Sequence, residues 1–288
     1  MNVLSKFLAV VTASVLTAGA LVTTQASAAT VNKLQISQNT SGQITIQQGQ
    51  VLQAGPIVDV QVSSSYATAD PEIFQLRNGV TLTQMDQKIM EAGQGGQVAA
   101  SAMQWFTQNT TFYGGLSAPG SVSFKLIMPA GSYYVAQLNP SPTVKPSTTA
   151  KKFSVIGQSQ AINPYADQSV QMNDVQTDRF IVNSFNGKLH TGALNIYNKS
   201  RELHFTRFVQ VKQGTTNAQI SAWLAGTGAD PTVPGGSVLS FGTLSPQRYA
   251  QLNLNVNPGT YVILDFIPDT TTGRPHALDG MFLLTTVN

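Results

Sequence analysis

The chain has 288 residues with no Cys, 10% charged and 42% hydrophobic residues, and a formal net charge of +3. Without Cys there is no disulfide scaffold, thiolate zinc or iron-sulfur centre, cysteine nucleophile or ordinary blue-copper site. Charge this thin, with Lys and Arg nowhere gathered into a run, excludes a nucleic-acid footprint, while the apolar content suffices for a core and excludes wholesale disorder.

Lys6 precedes a stretch that is apolar from Phe7 to Val22 and ends on Ala26-Ser27-Ala28. That order is a secretory signal peptide, so residues 1–28 are expected to be removed. Thr12, Ser14, Thr17 and Gly19 interrupt the stretch, which reads against a membrane span of about 20 mostly apolar residues. The expected product is secreted or held in the cell envelope, periplasmic or extracellular, with no transmembrane anchor after cleavage.

From Ala29 onward, apolar residues alternate in short runs separated by Gly, Pro, Asn and Ser, as at residues 57–62, 121–126 and 251–256. This is the period of half-buried strands, so the chain is expected to be mainly β. Residues 31–53 read as a strand-like arm able to pair with a neighbour's edge. Helical periodicity appears at residues 82–92 and 217–225, with a further helical patch at 98–106. Met85, Met90 and Met103 sit at helical positions and are expected in the core.

The chain also matches itself. Leu116, Phe124, Leu126, Gly131, Tyr133 and Pro140 fall without a gap on Leu244, Leu252, Leu254, Gly259, Tyr261 and Pro268. Upstream, Gly79, Thr81, Gln84 and Ile89 match Gly214, Thr216, Gln219 and Leu224 after a small insertion. A repeat this long exceeds a solenoid unit of about 20–50 residues, so it marks tandem duplication of a β domain. The linker is expected between Gly157 and Tyr165.

Three His exist, at 190, 204 and 276. The last strand of copy two and the loop after it read Tyr261, Asp265, Pro268, then Pro275-His276-Ala277-Leu278-Asp279-Gly280-Met281. This resembles the ligand loop of cupredoxins, the plastocyanin-like β-sandwich proteins, whose pattern is Tyr-x-x-x-Cys-x-x-Pro followed by His and then Gly-Met. The upstream family ligand, a His opening a strand a few residues after an Asn, is matched by Asn198 and His204. The resemblance covers about residues 193–287 and extends more weakly to copy one through the repeat. It is closest to exported bacterial cupredoxin-like proteins.

The resemblance implies two tandem Greek-key sandwiches, each with a short helix. Residues 29–157 form a domain without ligands, and residues 166–288 a domain with a partial set. That set is His204, Asp265, His276 and Met281. Asp265 stands where the family has Cys, and residues 269–274 are an insertion that lengthens the chain before His276. A carboxylate is a hard donor, so two imidazoles, one carboxylate and a thioether suit Cu(II) or Zn(II) and argue against rapid blue-copper electron transfer.

Read without the family, Asp265 ends an apolar strand face and needs a partner, from His204, His276, Arg274 or a metal ion. In copy one, Gln137 and Ala69 replace Asp265 and His204. His190 lies in a polar turn and reads as a surface residue.

Two main readings follow. One is an exported binding protein for a divalent metal, and the other a structural protein of the envelope or matrix whose metal site is degenerate. No nucleophile-base pair or intact redox centre is legible, so the chain is not expected to be an enzyme. The expected partners are a metal ion or an envelope or matrix protein, with self-association through the arm, and no nucleic acid.

Overall fold

The computed structural model describes residues 32–53, 57–139, 143–157, 165–174 and 179–288. The expected signal peptide and most of the expected linker lie outside the described residues. Copy one supplies strands β1 (Asn32–Gln38), β2 (Ile44–Gln48), β3 (Val51–Gln53), β4 (Val58–Ser64), β5 (Pro71–Leu76), β6 (Thr110–Gly115), β7 (Gly120–Leu126), β8 (Gly131–Gln137) and β9 (Lys151–Ile156). Copy two supplies β10 (Ser169–Asn173), β11 (Arg179–Asn183), β12 (Gly192–Asn198), β13 (His204–Val211), β14 (Val238–Leu244), β15 (Tyr249–Leu254), β16 (Gly259–Leu264) and β17 (Phe282–Val287). The helices are α1 (Leu82–Ala92), α2 (Gly96–Asn109), the short α3 (Pro146–Thr149) and α4 (Asn217–Leu224).

The strands form two sheets, ordered β11-β10-β12-β15-β7-β4-β1-β2 and β17-β16-β13-β14-β6-β5-β8-β9-β3. Each copy is therefore a sandwich, and each sheet runs through both copies. In the first sheet β7 and β15 pair antiparallel, with Phe124 opposite Leu252. These are equivalent positions of the repeat, so the copies meet about a local two-fold axis. In the second sheet β6 meets β14 at Tyr113 and Leu244.

Alternation drives this arrangement. In β1, Leu34 and Ile36 are buried while Lys33 and Gln35 are half-exposed, and the parallel partner β4 sets Val60 and Val62 beside them. Each such aliphatic side chain stabilises the fold by about 1.5–3 kcal/mol when fully buried. The core continues across the junction, where the rings of Phe124 and Phe241, one from each copy, meet edge-on at 5.0 Å.

Of the expected arm, residues 32–53 are part of copy one's own sandwich. β1 lies inside the first sheet between β2 and β4, and β3 pairs with β9 at the edge of the second. A strand that buries Leu34 and Ile36 on its own core is not a free donor for a neighbour.

Two helices start by the same local device. Thr81 and Thr216 each accept the backbone N–H of Gln84 or Gln219, whose side chains bond back to the cap backbone. This reciprocal box satisfies donors that a helix start otherwise leaves bare, at about 1 kcal/mol per cap. α2 is longer than its expected patch and is peculiar to copy one. Met85 and Met103 are buried as expected, whereas Met90 is 43% exposed, because α1 turns it outward. No helix among the described residues is long and apolar enough to cross a membrane.

Candidate metal centre

His204 is the first residue of β13, and the loop before it is shaped by Asn198. The Asn198 amide donates to the carbonyls of Glu202 at 2.7 Å and Leu244 at 2.8 Å, while its oxygen accepts from the Ser200 backbone and hydroxyl. The Asn upstream of the His is thus a buried clamp that fixes where β13 begins. Asp265 follows directly on β16.

His276 opens a 3-10 turn, His276–Asp279, that stops at Gly280 with φ 101°. Residues 269–274 do not carry it away from Asp265. The excursion closes on itself through Asp269 N–H to the Arg274 carbonyl at 2.8 Å. Backbone bonds from His276 N–H to Ile267 O and from Ala277 N–H to Asp265 O then bring the chain back alongside.

The structure brings three of the expected residues together. His204, Asp265 and His276 are fully buried, and each places a ligating atom within 4.8 Å of the others. Nδ1 of His204 lies 2.6 Å from Oδ2 of Asp265, and Oδ1 of Asp265 accepts the Ile267 N–H at 2.8 Å. The two imidazole rings are 4.6 Å apart and tilted by 50°.

Among the described residues, Nε2 of His204 is buried with no hydrogen-bond partner. A buried polar atom left so costs about 1–3 kcal/mol. Met281 is fully buried in the main core, tied to His276 by its backbone N–H at 2.9 Å from the His276 carbonyl.

Asp265 takes its partner from His204. Arg274 faces away and pairs with Asp279 at 3.2 Å on the surface. His190 is exposed, as expected, and lies 3.2 Å from Asp167.

Glu202, which the sequence reading did not select, has Oε2 at 3.7 Å from Nε2 of His276. Its carboxylate accepts the Thr270 N–H and hydroxyl, and Glu202, Asp269 and His276 form a second donor group around the same imidazole. The only sequence signal was the Glu202-x-His204 spacing, which by itself specifies nothing.

Copy one lacks the centre for a visible reason. Gln137, in the place of Asp265, is fully buried and satisfied. Its oxygen accepts from Gln38 and the Asp70 backbone, and its amide donates to the Thr68 carbonyl.

Copy one instead packs against the loop that precedes His276. From α2, Gln104 donates to Thr270 O at 2.8 Å and Gln97 to Thr271 O at 3.0 Å. Gly273, at φ +69°, packs so closely that a Cβ there would lie 1.8 Å from the Gly96 carbonyl oxygen.

No protein-family model matches the chain, and no curated protein matches it. Solved structures do. Auracyanin B is 17% identical over 44% of this chain and 93% of its own, with a TM-score of 0.26. A multicopper oxidase is 13% identical over 89% of this chain and 88% of its own, with a TM-score of 0.23. Copper nitrite reductase from Nitrosomonas europaea is 12% identical over 89% of this chain and 93% of its own, also at 0.23.

The chain is mainly β, its two sheets forming a sandwich to which both copies contribute. The expectation that the chain is not an enzyme does not stand: the absence of Cys removes thiolate chemistry alone, and a fold by itself neither supplies nor forbids an activity.

Proposed function

We propose that the chain is an exported protein whose second cupredoxin-like domain, residues 166–288, holds a divalent metal through His204, Asp265 and His276, with Met281 as a fourth donor. The first domain, residues 29–157, holds no metal and braces the ligand loop. The observation that carries this reading is the closed, fully buried group of two imidazoles and a carboxylate, each with a ligating atom within 4.8 Å of the others.

With no thiolate, this donor set suits Cu(II) or Zn(II) and departs from that of a blue-copper electron carrier. A bound ion would supply a fixed positive charge and a Lewis acid there. Export rests on the reading of residues 1–28.

The test is calorimetric titration of the metal-stripped chain with Cu(II) and, separately, Zn(II), beside His276→Ala. The expected result is one-site binding lost in the variant, with stability raised by about 2.7 kcal/mol at a free metal concentration 100 times Kd.

Absence of heat with either ion, in a protein shown to be folded, defeats the metal reading. It favours the alternative of a structural envelope or matrix protein with a degenerate site. The observation behind that alternative is the 2.6 Å contact of His204 with Asp265, which closes the site without an ion.

A further inference from the structure

Beside helices α1 and α2, where the copies meet, lies a cavity of about 370 Å³. Its wall is mainly apolar and comes from both copies, with Met103, Phe106 and Phe112 from one and Leu203, Phe205 and Ile267 from the other. Asp70, Ser117 and Thr243 are among its few polar lining residues, and among the described residues no Lys, Arg or His lines it.

Behind this polar part sits Glu72, fully buried. Its Oε1 accepts the Thr243 N–H at 2.9 Å and the Ser117 hydroxyl at 3.4 Å, and its Oε2 has no hydrogen-bond partner among the described residues. Space for this carboxyl is made by one glycine from each copy. A Cβ on Gly115 would lie 2.8 Å from Oε2, and one on Gly242 2.3 Å from both oxygens.

Two acids placed together at an apolar cavity with no basic residue are a costly arrangement. Burial pushes the Asp70 carboxyl up to about 7, and burial together with the neighbouring Asp70 pushes Glu72 well above its ordinary range. A neutral hydroxyl entering the cavity offers one hydrogen bond and leaves the charge uncompensated. An ammonium group compensates it, and the rings of Phe106, Phe112 and Phe205 suit both an aromatic body and a cation. The volume is within the range of about 300–1,000 Å³ typical of small-molecule sites.

We propose that this cavity binds a small organic amine with an aromatic body, its ammonium held by Asp70, Ser117 and Thr243 and backed by Glu72. The site draws its acids from copy one and does not depend on the metal reading.

The probe is 2-phenylethylamine, titrated calorimetrically into the full chain in the presence of EDTA, beside 2-phenylethanol and 3-phenylpropionate. The amine is expected to bind one to one, with the alcohol and the acid at least tenfold weaker. Asp70→Asn should weaken the amine at least tenfold, and Ser117→Ala should act in the same direction, with circular dichroism unchanged in both.

Three results overturn the proposal: no binding to the folded chain, equal affinity for amine and alcohol, or unaltered affinity in folded Asp70→Asn. If Asp70→Asn does not fold, the three-probe comparison on the unaltered chain decides.

Discussion

Nδ1 of His204 and Oδ2 of Asp265 lie 2.6 Å apart with both side chains fully buried, although His204 opens β13 and Asp265 follows β16, 61 residues further along the chain. The Asp265 carboxyl is thus held by the imidazole that opens β13. Removing it with Asp265→Ala leaves a second buried imidazole nitrogen without a partner and takes away a charge-assisted bond. The expected loss is about 1.5–3 kcal/mol in urea unfolding of the metal-free chain. A loss within ±0.5 kcal/mol, the range of ordinary surface changes, means the contact does not hold the site together.

The acid pair of copy one sets a pH dependence. Asp70 and Glu72 have carboxyls raised above their unfolded values, so between about pH 4 and pH 7 the native state binds more protons than the unfolded chain. Stability therefore falls as pH rises through that window, by linkage. Glu72→Gln keeps the shape and the bond from Thr243 N–H while removing one titrating group. Its melting temperature should fall less steeply between pH 4 and pH 8 than that of the unaltered chain, each kcal/mol appearing as about 2–4 °C. Parallel profiles for the two proteins rule this source out.

The ligand loop depends on copy one. Gly273→Ala forces a Cβ into the Gly96 carbonyl at a left-handed backbone position, so the loop must leave α2. Backbone strain alone costs about 1–3 kcal/mol. The loop carrying His276 then loses its support, and affinity for Cu(II) or Zn(II) should fall while α1 and the sheets stay intact by circular dichroism. A variant that binds metal as tightly as the unaltered chain shows that α2 plays no part in placing His276.

How much was legible follows from how local each feature is. α1 and α4 could be read because Thr81 with Gln84 and Thr216 with Gln219 close their caps within four residues. His276 and Met281 could be read because one turn and Gly280 space them. Glu202, Asp70 and Glu72 could not, since what makes each notable is a neighbour from a distant segment: Thr270 for Glu202, and Thr243 of the other copy for Glu72. Residues 269–274 looked like a separation along the chain. In three dimensions they are a closed excursion.

From the sequence alone follow the mainly β class, the starts of helices α1 and α4, and the burial of Met85 and Met103. All of these rest on period, composition and short motifs that need no partner. Tertiary structure alone decided that the copies share both sheets through Phe124 with Leu252 and Tyr113 with Leu244, that α2 of one copy holds residues 270–273 of the other, and that Asp70, with Glu72 buried beside it, lines an apolar cavity between them. Those outcomes depend on which distant surfaces exclude water together. That is a property of packing between segments, and no single stretch of sequence contains it.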